Sequence, residues 1–229
     1  MKKINRKLVY SFIIISFALI LNNACKKEDN NNPVIPATVI DIDGNVYHTV
    51  TIGTQVWMVE NLKTTKFRNG TSIPNVTDNS EWASLTKSAY CNYSNNDSLA
   101  NVYGRLYNWY AVNDSNKIAP LGWHIPSLTE LNKMISFLGG DSIAGSKLKE
   151  ANTLHWSSPN KGATNETGFT ALPGGYRGFG SINNYGIWWT STEDNSINAW
   201  HYYMSYNSID IIRYSDSKRN GFSVRCVKD

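Results

Sequence analysis

The segment from Leu172 to Glu193, LPGGYRGFGSINNYGIWWTSTE, concentrates side chains that are suited to bind a ligand. Its glycines permit positive φ in a long loop, which leads into a predicted strand over residues 186–192. Trp188 and Trp189 must then point to opposite faces, because side chains alternate along a strand. We expect one of them in the core and the other in a flat aromatic platform for a sugar ring or a peptide side chain. The candidate ligand-binding residues are Tyr176, Arg177, Trp188, Trp189, Trp200 and Tyr202.

The alternative for these aromatic side chains is structural. The chain contains 8 Trp and 13 Tyr, and a loop-rich domain can use them as large core fillers whose polar tips find hydrogen-bond partners. Both interpretations stay open from the sequence.

Catalytic templates are missing from the sequence. The patterns HExxH, CxxC, GxSxG and GxxxxGK[ST] do not occur, and no two of the four histidines are close in sequence. These histidines are His48, His124, His155 and His201. We therefore predict no catalytic residues and no cofactor, and a protein that is not an enzyme.

A calcium site is also not predicted. Asp41, Asp43 and Asn45 imitate the start of an EF-hand loop. However, Val46 stands where that loop needs glycine for its sharp turn, and Ile52 where it needs a bidentate glutamate. The sequence thus predicts no metal ligands.

The first 24 residues have the pattern of an export signal. Four positive charges within Met1–Lys7 precede an apolar run, Leu8–Leu21, that is too short to span a bilayer comfortably. Ala24 directly before Cys25 resembles the lipobox at which bacterial lipoproteins are cleaved and lipidated. We predict a signal peptide over residues 1–24 and a lipid on Cys25, with cleavage elsewhere or a retained weak anchor as the alternative.

A polar tether follows the lipidated cysteine. Residues 26–37, KKEDNNNPVIPA, are asparagine-rich and end in two prolines that favour extended backbone. The acidic pair Glu28 and Asp29 resembles signals that carry lipoproteins to the outer face of the outer membrane. The expected location is the cell envelope, as a surface-exposed outer-membrane lipoprotein whose lipid contacts the membrane.

Nucleic acid is excluded as a partner by charge. Removal of residues 1–24 takes four of the 22 Lys and Arg and none of the 18 Asp and Glu, so the mature chain has a formal net charge of zero. A protein without a basic face has no electrostatic attraction for phosphate backbones.

The three cysteines suggest one internal bridge. If Cys25 carries lipid, Cys91 and Cys226 can pair in the oxidising space outside the cytoplasm. Two buried free thiols are the alternative.

Local patterns predict the main elements of one domain, since 229 residues with 41% hydrophobic content suffice for one sizeable core. Asp43-Gly44 predicts a hairpin. Ser127 and Glu130 predict a capping box, and the helix that follows should end at Gly139-Gly140. Its expected apolar face comprises Leu128, Leu131, Met134, Ile135 and Leu138. The spacing of Leu106, Trp109 and Tyr110 predicts a further amphipathic helix.

Several distinctive motifs follow one another along the chain: DIDGNVYHTVTIGTQVWMVENLK, YCNY, YGRLYNWYAV, GWHIPSLTELNKM, GSKLKEANTLHW, TNETGFTALPGGYR, GIWWTSTE and GFSVRCVKD. In this order they resemble the Fibrobacter succinogenes major paralogous domain family. The resemblance covers residues 40–229, so we assign residues 38–229 to this domain. It also implies cysteines in YCNY and SVRC, which adds to the case for the Cys91–Cys226 bridge.

A more distant similarity connects His124–Ser127, Glu130 and Gly221-Phe222 to the formylglycine-generating enzyme or sulfatase-modifying-factor group. It implies an α+β domain of C-type lectin-like fold, with two main helices, short twisted antiparallel strands, paired terminal strands and long ordered loops. The redox-active cysteine pair of that enzyme is not expected here, because Cys91 and Cys226 sit in strand patterns.

The sequence therefore predicts a lipid-anchored envelope protein whose lectin-like domain binds a glycan or a surface protein without catalysis. The alternatives are an enzyme of the sulfatase-modifying-factor type and a purely structural envelope protein.

Overall fold

The computed structural model describes residues 37–178 and 180–229. The predicted signal peptide, the lipidated Cys25 and almost all of the tether lie outside these residues. Within the described part of the chain, no helix has the length and apolar character needed to cross a membrane.

Five short strands form the first sheet, in the order β1-β2-β3-β10-β6, and all its pairs are antiparallel. The strands are β1 (Thr38–Ile40), β2 (Val46–Ile52), β3 (Gln55–Met58), β6 (Trp123–His124) and β10 (Val227–Lys228). The predicted hairpin at Asp43-Gly44 is confirmed, with Gly44 at φ 85°. The C-terminal strand β10 pairs with β3, through Val227 and Trp57, and with β6. The expected pairing of the two terminal strands with each other is wrong, because β1 pairs with β2 at the edge of the sheet.

Three longer strands form a second antiparallel sheet, in the order β7-β8-β9. They are β7 (Tyr185–Glu193), β8 (Asn198–Ser205) and β9 (Ile211–Ser217), so the strand predicted over residues 186–192 is confirmed. A two-stranded ladder joins β4 (Tyr90–Cys91) to β5 (Leu106–Tyr107).

Five α-helices lie within the described residues, together with one 3-10 turn at Tyr93–Asn95. They are α1 (Asn79–Ser84), α2 (Asp97–Tyr103), α3 (Trp109–Val112), α4 (Leu128–Phe137) and α5 (Asp141–Leu148). The capping box of α4 is confirmed: the Ser127 hydroxyl accepts from the Glu130 amide (3.2 Å), and the Glu130 carboxylate accepts from the Ser127 amide (2.8 Å). Its apolar side is buried at Leu131, Met134 and Ile135.

The helix predicted through Leu106, Trp109 and Tyr110 is wrong. Leu106 belongs to β5, and only the four residues of α3 are helical. The Asn108 side chain accepts from the Ala111 amide and so starts a new helix after the strand. The 3.6-residue spacing of these apolar residues arose from two different elements.

Two large hydrophobic clusters and a smaller one form the core. Trp189, Trp109 and Phe222 belong to the first, whereas Trp188, Leu131 and Met134 belong to the second. The β7-β8-β9 sheet thus has core on both faces. Mixed helices and antiparallel sheets make the domain α+β.

Candidate functional site

The predicted aromatic platform does not form. Trp188 and Trp189 do point to opposite faces of β7, but both are buried, with 6% and 0% of their surface exposed. Tyr202 is buried in the same cluster as Trp188. The expectation that one tryptophan lies on the surface is wrong, because each face of the sheet is covered by other elements.

Both indole N–H groups have buried partners. The Trp188 Nε1 donates to the Asn61 side-chain oxygen (2.8 Å), and the Trp189 Nε1 donates to the Tyr107 carbonyl (2.9 Å). Asn61 also accepts from the buried Arg225 guanidinium at 2.9 Å. Burial lowers the pKa of Arg225 to about 9. These bonds satisfy polar tips inside the core, as the structural interpretation of the aromatic residues expects.

Tyr176 and Arg177 lie apart from the two tryptophans. The Arg177 guanidinium stands 4.4 Å from the ring centroid of Trp82 and donates to the carbonyls of Thr77 and Asp78. It thereby fixes the glycine-rich loop against the start of α1. Tyr176 is 36% exposed.

Trp200 alone among the eight tryptophans is not buried. It is half-buried on β8, with the Arg213 guanidinium 5.5 Å from its ring centroid. The structure therefore separates the six predicted ligand-binding residues into four places: Trp188 with Tyr202, Trp189, Tyr176 with Arg177, and Trp200. It gives most of the glycine-rich segment an architectural part.

The predicted bridge between Cys91 and Cys226 is absent, and both residues are buried free thiols. Cys91 packs with Trp82 and Leu106 in the small cluster, whereas Cys226 packs in the first large cluster. Because each thiol has its own apolar surroundings, the two do not form a pair. Burial raises the pKa of both, so neither resembles a reactive thiolate or a copper-binding pair.

Each histidine is hydrogen-bonded to a carboxylate, in four separate places. The pairs are His48 with Glu60, His124 with Glu130 and Asp229, His155 with Glu150, and His201 with Asp216. In a catalytic triad the histidine stands between the nucleophile and the acid. Here Glu130 stands between Ser127 and His124, with both at 2.7 Å, so the serine receives no base.

The calcium-like residues of the β1–β2 turn bind the protein itself. Asp41 accepts from the amides of Asp43 and Asn45 and from the Tyr47 hydroxyl, while Asp43 accepts from Thr65 and Lys66. Across residues 37–178 and 180–229, no group of three or more His, Cys, Asp and Glu side chains is arranged to hold a metal.

Two adjoining concavities, which share Asn113, form what we call the side groove. The first, of about 530 Å³, has Phe67, Trp109 and Tyr110 as aromatic lining; its polar lining comprises Thr86, Lys87, Ser88, Asn113 and Asp114. The second, of about 240 Å³, extends over Val112 and Trp123 to Arg68, Lys117 and Asp229. Phe67 and Trp109 are buried, so Tyr110 presents the accessible aromatic surface of the first concavity, next to the exposed amide of Asn113. A ring face with neighbouring polar side chains is suited to a ligand that carries hydroxyl groups.

Buried Asn108 holds the walls of the side groove. Its side chain accepts from the amides of Ala89 and Ala111 and donates to the Lys87 carbonyl at 2.8 Å, so it ties α3 to the preceding ladder. The Trp109 ring is fixed below by a bond to the Thr190 carbonyl and by the Lys218 ammonium 4.8 Å from its centroid. This site could not be predicted from the sequence, because the spacing of Leu106, Trp109 and Tyr110 predicts one core helix over the segment.

Two titratable residues that line the side groove, Asp114 and His124, have shifted pKa values. Burial alone would raise the pKa of Asp114, but hydrogen bonds from Ser88 and Asn116 outweigh it and lower the pKa. For His124, burial opposes the charge, yet Asp229 and Glu130 raise its pKa. Both ring nitrogens of His124 are used, so it supports the groove wall and is not free to transfer a proton to a ligand.

Comparison with known proteins gives one match. No curated protein and no solved structure is similar to the chain at a significant level. The sequence profile of the Fibrobacter succinogenes major domain matches residues 50–228, which is well over half of the chain. The chain therefore belongs to the Fibrobacter succinogenes major domain family.

Proposed function

We propose that this protein is a lipid-anchored component of the outer membrane whose domain binds a glycan without catalysis. The side groove carries the proposal, because this concave surface places the partly exposed ring of Tyr110 beside exposed hydrogen-bonding side chains such as Asn113. Sugars are bound by such combinations of apolar ring faces and planar polar groups. A surface protein presented to the same groove is the other ligand class that we consider.

The assignment of a C-type lectin-like fold to this α+β domain is part of the same proposal. A capped helix after β6, short antiparallel strands and long ordered loops agree with a C-type lectin-like domain related to the sulfatase-modifying factors. We assign no enzyme activity, since the paired histidines and separated thiols offer no nucleophile with a free base.

The test of ligand binding is a glycan-array screen of the full-length protein in detergent. A double variant, Tyr110→Ala with Asn113→Ala, removes one ring and one exposed amide of the side groove. We expect binding to fall at least about fivefold, since the loss of a central contact worth about 1 kcal/mol changes the affinity by that factor. Tyr214→Ala is the matched control, because this exposed tyrosine on β9 does not line the groove.

Equal loss in the Tyr214 control would count against the side groove as the site. Failure of the wild type to bind any glycan would count against the glycan class and direct the search to protein partners.

Anchoring is tested separately by cell fractionation. We expect the wild type in the outer-membrane fraction and a Cys25→Ser variant outside it, because that variant lacks the atom that carries the lipid. A wild-type protein found in the cytoplasm would refute the anchoring.

One observation favours a purely structural envelope protein as the second candidate. Seven of the eight tryptophans are buried, so the abundance of aromatic residues serves the core. The two candidates are distinguished by the array, since a structural protein binds no glycan through the side groove.

A further inference from the structure

Four large aliphatic side chains are exposed at the end of the domain where the chain enters it. Their exposed fractions are 60% for Ile40, 48% for Ile42, 49% for Val46 and 82% for Leu121. Isolated exposed aliphatic residues are common on soluble domains, but a group of them marks an interaction surface. We call this group the apolar rim.

The members of the apolar rim adjoin one another. Ile40 and Val46 are direct partners in the β1–β2 pair. Ile40, Ile42 and Leu121 line one shallow concavity of about 290 Å³. The rim is therefore one continuous surface of the folded domain.

Leu121 is held outward by a fixed loop. The Arg68 guanidinium donates to the carbonyls of Ala119, Pro120 and Trp123 at 2.9 to 3.1 Å, which pins the backbone on both sides of Leu121. Gly122 next to it has a φ of 77°, a conformation that favours glycine. The fixed backbone thus keeps Leu121 at the surface beside Ile40 and Ile42, and it is this grouping that marks an interaction surface.

The position of the apolar rim in the chain identifies that partner. Thr38 begins β1, and Ile40 follows only two residues later. Twelve residues, Lys26 to Ala37, separate Cys25 from this strand, and even a fully extended chain of that length spans at most about 40 Å. On the anchoring proposed above, the rim is the part of the domain that is closest along the chain to the lipid.

The surroundings of the apolar rim carry charges of both signs. Arg68 and Asp41 line the same concavity as Ile42, and Lys117 is exposed in the adjoining part of the side groove. Asp43 is paired with Lys66. An apolar surface without an excess of negative charge is suited to insert into the headgroup region.

We infer that the apolar rim docks the domain onto the bilayer that carries its lipid anchor. A short tether keeps the domain at a high effective concentration over the membrane, so that a weak contact suffices. Docking holds the domain in one orientation and places Ile42 and Leu121 in the headgroup region. The inference rests on the proposed lipid anchor.

The test uses the full lipidated chain in vesicles of equal phosphatidylethanolamine and phosphatidylglycerol. Single cysteines at Ile42, Leu121 and Leu154 receive the same fluorophore, while Cys91 and Cys226 escape labelling because they are fully buried. Leu154 is the matched control, an exposed leucine that does not line the rim concavity. Quenching by spin-labelled lipid should be at least about twofold stronger at positions 42 and 121 than at 154, as expected for side chains inserted about 5–10 Å into the interface.

A second variant checks that the docking depends on the rim itself. Leu121→Asp should remove the excess quenching at position 42, whereas Leu154→Asp should leave it unchanged. Both sites are exposed, so both variants keep the fold.

Three results would overturn the docking. Equal quenching at all three positions shows a domain that stands free of the bilayer. Protection of position 42 from lipid and aqueous quenchers alike shows that the tether covers the rim, and energy transfer between labels shows a second copy on it. A wild type that does not associate with vesicles refutes the anchor and the docking together, whereas the first three results leave the anchor intact.

Discussion

Trp188 and Trp189 illustrate how a residue can resemble a binding site and serve the core. Both indoles are enclosed, and both ring N–H groups donate to protein oxygens. Alternation along β7 correctly predicts that they point to opposite faces. It cannot predict that both faces are covered, because the covering residues, such as Leu131 and Phe222, come from distant parts of the chain.

Substitution of either tryptophan should destabilise the domain. We expect Trp188→Ala and Trp189→Ala each to lower the free energy of unfolding by about 3–5 kcal/mol, because a large buried side chain is lost and a cavity remains. The half-buried Trp200→Ala is the control and should cost about 1 kcal/mol. Urea titration followed by circular dichroism measures all three free energies of unfolding. If Trp188→Ala or Trp189→Ala lowers that free energy no more than Trp200→Ala does, the core does not cover both faces of β7 as described.

His124 should make stability depend on pH. Asp229 and Glu130 raise its pKa above the ordinary value of 6.5, so the stability from its charged form is fully present below pH 6.5 and is lost as the pH rises through the folded pKa. Glu130 has its pKa lowered from 4.5, so its contribution is lost as the pH falls through that lower value. The pair therefore contributes most between about pH 4.5 and 6.5.

The measurement is the unfolding midpoint from pH 5 to pH 9 for the wild type and for His124→Gln. We expect the difference between them to shrink as the pH rises above about 6.5. Asp229→Asn should reduce this dependence without removing it, because Glu130 remains. A difference that stays constant over the whole range would show that the ion pair does not form.

At the level of elements, local signals predict what depends on local contacts. The hairpin at Asp43-Gly44 and the capped helix at Ser127 follow from residues that act within one turn, and both are confirmed. The segment around Leu106 and Trp109 is different, since it pairs as a strand with Tyr90 and Cys91 before α3 begins. Periodicity could not show that pairing, because the partner strand is fifteen residues away in the chain.

Asn108 links those two elements and should matter more than an ordinary helix cap. Asn108→Ala removes three hydrogen bonds inside a buried site, so we expect a loss of about 3 kcal/mol in unfolding free energy. Asn96→Ala, at the exposed cap of α2, is the matched control and should cost about 1 kcal/mol. Chemical denaturation gives both values, and equal costs would mean that Asn108 acts only as a cap.

For the molecule as a whole, the candidate site was the part least accessible to sequence reasoning. The first concavity of the side groove is lined by residues between positions 67 and 114. The second is lined by residues between positions 68 and 229. The polar run Asn113–Lys117 between two apolar stretches is the signal that could have pointed to it. What that run cannot show is which distant side chains, such as Phe67 and Asp229, form the remaining walls.

The two buried thiols connect the fold to the proposed location. In an oxidising compartment a bridge between Cys91 and Cys226 would tie β4 to the C-terminal strand, but the core places each thiol in a different cluster. We expect no reaction of the native protein with a thiol reagent, because both side chains are fully buried. The unfolded, unreduced protein purified from the cell envelope should release two thiols. A count of zero would restore the bridge, and rapid reaction of the native protein would mean that the clusters around the thiols open in solution.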